Sequence, residues 1–152
     1  MLQSGQAEAP YLAQPLLESA GPCGCDVLLV VADAWCQEVA SGLRSLGGHR
    51  VSVAGSGGEA ADLCARQPFQ VIVLDDALPS SSALDTVWRI VRLPDVVGPI
   101  SIILLVETLP PLELCQAYAR AGVLMMVAKP VTANLLQSAF RLLSREILAW
   151  GR

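Results

Sequence analysis

The sequence predicts an α/β domain, a doubly wound (βα)5 three-layer sandwich around a five-stranded parallel sheet. Apolar runs of strand length alternate five times with helical patterns, and the connections between them are short. Two of these runs are apolar at every position, as expected for strands that helices cover on both faces. Strict alternation of strand and helix is typical of parallel strands joined by right-handed crossovers.

The five predicted strands begin where the composition of the chain changes at Asp26. Continuous apolar runs at residues 27–31 and 71–74 are typical of central strands in a parallel sheet. The second of these runs stops at a pair of acids, Asp75 and Asp76. The remaining strands are predicted at residues 50–54, 100–106 and 123–128.

A helical pattern follows each predicted strand. Trp35, Val39, Leu43 and Leu46 recur at helical spacing before two glycines that are a typical helix end. Further helices are predicted at residues 57–66, 84–91 and 111–121. Thr132 is the predicted N-cap of the last helix. The expected inner face of that helix consists of Leu135, Leu136, Ala139, Phe140, Leu143 and Ile147.

The composition is that of a globular protein with one domain. The chain has 152 residues, of which 53% are hydrophobic and 16% are charged. A net charge of −4 and the lack of any Lys/Arg cluster argue against a nucleic-acid surface. Cys36, Cys64 and Cys115 fall at apolar positions of the helical patterns and are expected to be buried.

Residues 1–25 contain repeated Pro and Gly and are interpreted as an N-terminal tail or linker, with room for a short helix at residues 12–19. The domain itself is assigned to residues 26–152. The tail has neither the basic start nor the apolar core of a signal peptide, and no apolar run approaches the roughly 20 residues of a membrane helix. We therefore expect a soluble, cytoplasmic protein that does not contact a membrane.

Side chains with useful chemistry follow four of the predicted strands. Asp33 follows the first strand, Asp75 and Asp76 end the third, Glu107 follows the fourth and Lys129 follows the fifth. In an open doubly wound sheet, ligands bind beyond the carboxyl ends of the strands. Carboxylates are ligands for Mg²⁺, and an aspartate can attack phosphorus while a metal and an ammonium neutralise the phosphoryl charge. The sequence therefore predicts a site for Mg²⁺ and a phosphoryl group.

Two motifs at these strand ends resemble those of response-regulator receiver domains, a family of two-component signalling that includes the chemotaxis regulators. The segment FQVIVLDDALP, residues 69–79, is similar to the third-strand motif, in which a proline follows the acceptor aspartate. AG at residues 121–122 and VAKP at residues 127–130 are similar to the fifth-strand motif, whose lysine precedes a typically cis proline. The resemblance covers the chain from residue 26 to about residue 148 and implies the flavodoxin-like strand order 2-1-3-4-5.

The resemblance implies a role for each of these residues. Asp75 is the phosphoacceptor, and Lys129 contacts the phosphoryl group. The family's metal ligands fall on Asp33, Asp75 and the backbone carbonyl of Ala77, which implies Mg²⁺ as the cofactor. The family's serine or threonine switch falls on Glu107 or, with a shift of one residue, on Thr108.

Four positions depart from the family pattern, one of them Ala83, which stands where a glycine is expected after the third-strand loop. Receiver domains usually end the first strand with two acids, whereas residues 30–33 read VVAD and retain at most one. Glu107 would add a second carboxylate beside the phosphoryl group, which costs about 4 kcal/mol per charge pair at ~4 Å and an effective dielectric near 20. The aromatic switch position of the fifth strand is Met126.

Two main hypotheses follow. In the first, the chain is a stand-alone receiver, since no effector domain follows Arg152. A histidine kinase or phosphotransfer protein donates a phosphoryl group to Asp75, and output is by protein–protein contact, with self-association through the last helices as one form. The chain is then a signalling domain and not an enzyme. In the second, the departures define a pseudo-receiver, an interaction module that works without phosphorylation.

Three further features have alternative interpretations. Asp33 is either a metal ligand or the N-cap of the first helix. His49, in a Gly-Gly-His-Arg turn, is expected to be exposed and inert. The loop GSGGEA at residues 55–60 matches a dinucleotide fingerprint with Asp75 at the required distance, so a small nucleotide-binding enzyme is the third hypothesis. The short helix that follows and the small number of strands argue against it.

Overall fold

The computed structural model describes residues 24–79, 82–94 and 100–150, with side chains as far as Leu143. The short helix considered at residues 12–19 and the side chain of Ile147 lie outside this part. Within the described ranges strands and helices alternate. In chain order they are β1 (Asp26–Val30), α1 (Trp35–Gly47), β2 (Arg50–Ala54), α2 (Gly57–Arg66), β3 (Val71–Asp75), α3 (Ala83–Val91), β4 (Ser101–Val106), α4 (Leu112–Ala121), β5 (Val123–Ala128) and α5 (Ala133–Trp150).

The strands form one parallel sheet in the order β2-β1-β3-β4-β5, which confirms the predicted fold class and strand order. Every neighbouring pair of strands is parallel. All carboxyl ends of the strands therefore lie along one edge of the sheet, which we call the C-terminal edge. The opposite edge, where the strands begin, is the N-terminal edge.

Two cores fill the space between the sheet and its helices, because successive side chains of a strand point to opposite faces. On one face, Leu28, Ile72 and Leu104 pack under α2, α3 and α4. On the other face, Leu29, Val73 and Ile103 pack under α1 and α5. Cys36 and Cys64 are buried as predicted, whereas Cys115 is half-buried. No helix in the described ranges has the length and apolar character required to cross a membrane.

The glycine-rich loop before α2 is a helix start. The Ser56 hydroxyl accepts a hydrogen bond from the Glu59 N–H at 3.1 Å, and the Glu59 carboxylate accepts one from the Gly55 N–H at 2.8 Å. Such reciprocal bonds satisfy backbone donors that a helix N-terminus leaves unpaired. The match to a dinucleotide fingerprint therefore has a local structural explanation, and the five strands of the described sheet are fewer than that fold uses.

Two predictions about helix faces and caps are wrong. Leu135 was assigned to the inner face of α5 but is 43% exposed, because its neighbour Leu136 takes the core-facing position and adjacent helical residues point about 100° apart. Asp33 is not the N-cap of α1, since Ala34 holds that position without a side-chain hydrogen bond. The predicted cap of α5 is confirmed, because Thr132 Oγ1 accepts a hydrogen bond from the Leu135 N–H at 3.1 Å.

His49 was predicted to be exposed, and this prediction is also wrong. Its ring is only 5% exposed, at the N-terminal edge of the sheet. The ring meets the edge of Phe140 on α5, with the two centroids 5.3 Å apart. The turn that carries His49 therefore lies under α5, and no pattern in the local sequence predicts this tertiary contact.

Candidate functional site

Asp75 and Lys129 meet at the C-terminal edge of the sheet. Asp75 is the last residue of β3, and Lys129 directly follows β5. Lys129 Nζ donates a hydrogen bond to Asp75 Oδ1 at 2.6 Å, and the two side chains are 14% and 3% exposed. The ion pair is thus largely shielded from water, where charge-assisted hydrogen bonds are strongest.

Backbone bonds to β4 hold both partners in place. The N–H groups of Asp76 and Lys129 donate to carbonyls of β4, at 3.0 and 2.8 Å respectively. The Ala77 N–H donates to Asp75 Oδ1 at 3.0 Å. The contacts from Lys129 and Ala77 therefore both fall on Oδ1 of Asp75, and Oδ2 takes part in neither.

Negative charge is concentrated around this lysine. Asp76 Oδ1 lies 3.8 Å from Lys129 Nζ. The pKa of Asp76 is raised overall, chiefly by burial. The charge of Lys129 lowers this pKa, whereas the charges of Asp75 and Glu107 and a hydrogen bond with Asp75 raise it. Burial lowers the pKa of Lys129, but the neighbouring acids have a larger combined effect and raise this pKa overall. They act through the hydrogen bond and charge of Asp75 and through the charges of Asp76 and Glu107. The lysine therefore stays protonated among carboxylates that it only partly neutralises.

A cleft of about 450 Å³ adjoins the ion pair. Its lining brings together three residues that the sequence singled out, Asp33, Glu107 and Lys129. Trp35, Pro130 and Val131 complete the lining and were not predicted to belong to the site. The position of Trp35, two residues after Asp33, is the sequence signal that would have placed it there.

The register of β1 against β3 locates Asp33 relative to Asp75. Val30 is opposite Leu74, so one further step along both strands brings Val31 level with Asp75. Val31 is apolar and only 1% exposed. Asp33 lies two residues farther on, in an exposed turn. The position beside Asp75 on the β1 side is therefore apolar.

The register of β4 against β5 locates Glu107 and Thr108 relative to Lys129. Val106 is opposite Ala128, so the next step brings Glu107 level with Lys129. Glu107 lines the cleft, whereas Thr108 is one residue farther along the exposed loop. Of the two alternatives left open by the sequence, Glu107 is the residue beside the lysine.

Comparison with known proteins identifies the architecture. No protein-family model matches the chain. The chain is 32% identical over 114 residues to the sensor histidine kinase AruS of Pseudomonas aeruginosa. The aligned region covers 75% of this chain but only 11% of the kinase. A CheY-like receiver domain protein from Methanospirillum hungatei matches with a TM-score of 0.70 at 19% identity, over 81% of this chain and 95% of that one. The chain has the receiver-domain fold.

A second receiver structure bears on the metal. The receiver domain of another Pseudomonas aeruginosa sensor histidine kinase, crystallised with a magnesium ion coordinated in its active-site cleft, matches with a TM-score of 0.63 at 24% identity. The match covers 76% of this chain and 93% of that one. A domain with the receiver fold can therefore coordinate a magnesium ion in its active-site cleft.

The donor set of this receiver fold is small. Among the described residues, no three acidic, histidine or cysteine side chains are grouped so as to hold a metal. Mg²⁺ is commonly held by one or two carboxylates, with water and phosphate oxygens as its other ligands. Asp75, Asp33 in the cleft wall and the carbonyl of Ala77 are oxygen donors of this kind. Their chemistry fits a magnesium ion that the protein holds with few ligands.

Met126 on β5 is the residue that the sequence resemblance aligns with an aromatic switch position. Its side chain is half-buried and packs against the core under α2, α3 and α4. A thioether has no hydroxyl to donate, so Met126 cannot make the hydrogen bond of a switching tyrosine. Any movement here would be a repacking of a flexible apolar side chain.

Proposed function

We propose that this receiver fold accepts a phosphoryl group on Asp75 from the phosphohistidine of a histidine kinase or phosphotransfer protein, in the cytoplasm. The observation that supports this most is the 2.6 Å contact between Asp75 Oδ1 and Lys129 Nζ beside the cleft. The 32% identity to a sensor histidine kinase supports a partner from this signalling class. In this proposal the chain is a signalling domain without a turnover substrate of its own.

In the proposed step, a carboxylate oxygen of Asp75 forms a bond to phosphorus while the phosphorus–nitrogen bond of the donor breaks. Oδ2 is the proposed nucleophile, because the contacts from Lys129 and Ala77 both fall on Oδ1. The donor's imidazole nitrogen keeps the electron pair of the broken bond. The ammonium of Lys129 stabilises the negative charge of the transferred group.

The test is the mass of the intact protein after incubation with acetyl phosphate and Mg²⁺. We expect the wild type to gain one phosphoryl group and Asp75→Asn to gain none. Asp76→Asn is the matched control, because it removes a neighbouring carboxylate in the same way but leaves the proposed nucleophile. Absence of the adduct in the wild type, or its persistence in Asp75→Asn, would contradict the proposal.

Mg²⁺ is the proposed cofactor, held by Asp33, Asp75 and the backbone carbonyl of Ala77. Bound there, it would supply further neutralisation of the phosphoryl charge. Trp35 lines the same cleft as Asp33, so its fluorescence should respond to the ion.

A fluorescence titration tests this metal site. We expect Mg²⁺ to change the emission of the wild type but not of Trp35→Phe. Asp33→Asn should weaken binding, whereas Asp62→Asn, which removes an exposed acid of α2, should not. An unchanged affinity in Asp33→Asn would remove Asp33 from the metal ligands.

We propose that output includes self-association through the last helices, with a second copy of the chain as the partner. β5 is an edge strand of the sheet, and Leu124 on this strand is 39% exposed. On α5, Leu135 and Leu142 are 43% and 53% exposed. Contiguous exposed apolar patches are typical of contact surfaces, and we propose that these leucines contribute to one.

Sedimentation velocity with and without beryllofluoride tests this surface. We expect Leu142→Glu to weaken self-association. Leu46→Glu should have no effect, because Leu46 is 54% exposed but lies on α1. A wild type that stays monomeric in both conditions would contradict the proposal.

A second function, a pseudo-receiver that binds partners without phosphorylation, is supported by two residues. Glu107 is level with Lys129, and the apolar Val31 is level with Asp75. A carboxylate beside the lysine repels an incoming phosphoryl group. If this is the obstacle, the adduct is absent in the wild type and appears in Glu107→Thr, while Thr108→Ala behaves as the wild type. Adduct formation by the wild type would reject this second function.

A further inference from the structure

His49 is a buried connection between three elements at the N-terminal edge of the sheet. Its Nδ1 accepts a hydrogen bond from the backbone N–H of Cys25, just before β1, at 3.0 Å. Its Nε2 lies 2.7 Å from Oε1 of Gln137 on α5. The ring therefore joins the entry to β1, the turn before β2 and the second turn of α5.

These contacts define which ring nitrogen carries the proton. A backbone N–H can only donate, so Nδ1 must be the acceptor and has no hydrogen. Nε2 must then carry the hydrogen, which it donates to the amide oxygen of Gln137. Both nitrogens are satisfied in this neutral tautomer. Protonation would add a hydrogen to Nδ1 that faces the Cys25 N–H, and that hydrogen bond would be lost.

Close packing on two sides prevents a small movement of the ring that would separate a protonated Nδ1 from the Cys25 N–H. A Cβ at Gly47 would overlap the His49 ring, so α1 approaches it as closely as a glycine allows. The edge of Phe140 covers another side, with its plane at 87° to the imidazole. A protonated ring must therefore either remain buried with an unsatisfied donor or leave its place beneath α5.

We infer that His49 is a pH-sensitive latch that holds α5 against β1 and the β2 turn when neutral and releases α5 when protonated. The inference is independent of phosphoryl transfer, because the latch lies at the N-terminal edge and the Asp75 cleft at the C-terminal edge. It gives the single histidine of the chain a role in the position of α5.

The neighbouring charges do not offer the protonated ring an acidic partner. In the described part of the chain, no carboxylate forms an ion pair with His49, and Asp26, the neighbour of Cys25 in the sequence, is paired with Arg50 at 2.6 Å. Burial raises the pKa of the Cys25 thiol, and Asp26 raises it further, so this thiol stays neutral. Among the described side chains, the ionisable groups on the elements packed around the ring are Cys25, Asp26, Cys36, Glu38, Arg44, Arg50 and Arg141.

Nuclear magnetic resonance of the full chain tests the tautomer directly, because one histidine gives one imidazole signal set. At pH 7.5 we expect the ¹⁵N shifts of a ring with a hydrogen on Nε2 and none on Nδ1. A hydrogen on Nδ1, or the averaged shifts of a freely exchanging ring, would overturn the inference. This measurement requires no variant and so does not depend on a substituted protein folding.

Amide hydrogen exchange tests the release of α5. Histidine imidazoles gain their proton in the range of about pH 8 to 5. After correction for the intrinsic rates, we expect α5 amides to lose about tenfold protection relative to β3 amides between pH 7.5 and pH 5, the loss expected from one unsatisfied buried donor. Equal changes in α5 and β3 would overturn the inference.

His49→Gln is the matched control, since a glutamine side chain keeps polar groups at this position but does not titrate. The extra loss of α5 protection at pH 5 should disappear in this variant. If it persists, other titrating groups release α5 and His49 is not the latch. Gln137→Ala should reduce α5 protection already at pH 7.5, because it leaves Nε2–H without its acceptor.

Discussion

The acidic side chains at the two edges of the sheet differ in how fully a cation neutralises them. At the N-terminal edge, Asp26 accepts two hydrogen bonds from Arg50, at 2.6 and 3.1 Å. At the C-terminal edge, Asp75 and Asp76 share Lys129. The hydrogen bond with Arg50 lowers the pKa of Asp26 despite its partial burial, whereas burial raises the pKa of Asp76 despite Lys129. Asp26 at the N-terminal edge has its own partner, whereas Asp75 and Asp76 at the C-terminal edge compete for one.

The difference shows that unfavourable electrostatic interactions between acidic side chains are concentrated at the C-terminal edge. Crowded carboxylates destabilise a folded protein, and such local conflicts are commonly found at functional sites. An incoming cation would relieve the conflict at the C-terminal edge, and nothing comparable would be gained at the N-terminal edge. Neutralising Asp26 and neutralising Asp76 should therefore change stability in opposite directions.

The largest effect is expected when the buried ion pair is broken. Lys129→Met leaves the 3%-exposed side chain of Asp75 without its cation, which should lower the free energy of unfolding by about 3 kcal/mol in urea denaturation. Adding Asp75→Asn in the same molecule should restore most of this loss, since the uncompensated charge is then gone. Additive losses in the double variant would show that the two side chains do not form a pair.

A smaller loss is expected at the N-terminal edge. Asp26→Asn should lower the free energy of unfolding at pH 7 by less than about 1 kcal/mol, because water screens this partly exposed pair. The pKa of Asp26 is lower in the folded chain than its ordinary value of 3.8, so its stabilisation is present above that pH and is lost as the pH falls through the folded value. Urea denaturation of both proteins should therefore converge at strongly acid pH.

The smallest effect has the opposite sign. The pKa of Asp76 is higher in the folded chain than its ordinary value of 3.8, so its ionisation destabilises the fold as the pH rises above that value. Asp76→Asn should raise the free energy of unfolding at pH 7, by less than about 1 kcal/mol because of solvent screening. This gain should vanish near pH 3. A loss of stability at pH 7 would contradict the contrast between the two edges.

The sequence was sufficient for the fold because its signals are local and repeated. Residues 50–54, 57–66 and 123–128 were predicted with the bounds that the structure has, since each is marked by an apolar run or by Gly and Pro at its ends. The convergence of Asp75 and Lys129 followed from the rule that parallel strands end at one edge.

What the sequence could not provide was register and long-range contact. Which of the residues 30–33 lies level with Asp75 depends on the register between the strands, which a count along the chain leaves open. His49 was misjudged because its partner Gln137 is 88 residues away, and no local pattern links the two. Trp35 was assigned only to its helix, since the cleft it lines is formed by three separate segments.

The most direct test of the central claim is to locate the phosphoryl group after reaction with a phosphohistidine donor. Borohydride reduces an acyl phosphate to an alcohol, so an aspartyl phosphate becomes a homoserine that peptide sequencing by mass spectrometry can place. We expect homoserine at position 75 and aspartate at positions 33 and 76. Unreduced aspartate at position 75 in a protein that carries the phosphoryl group elsewhere would contradict it.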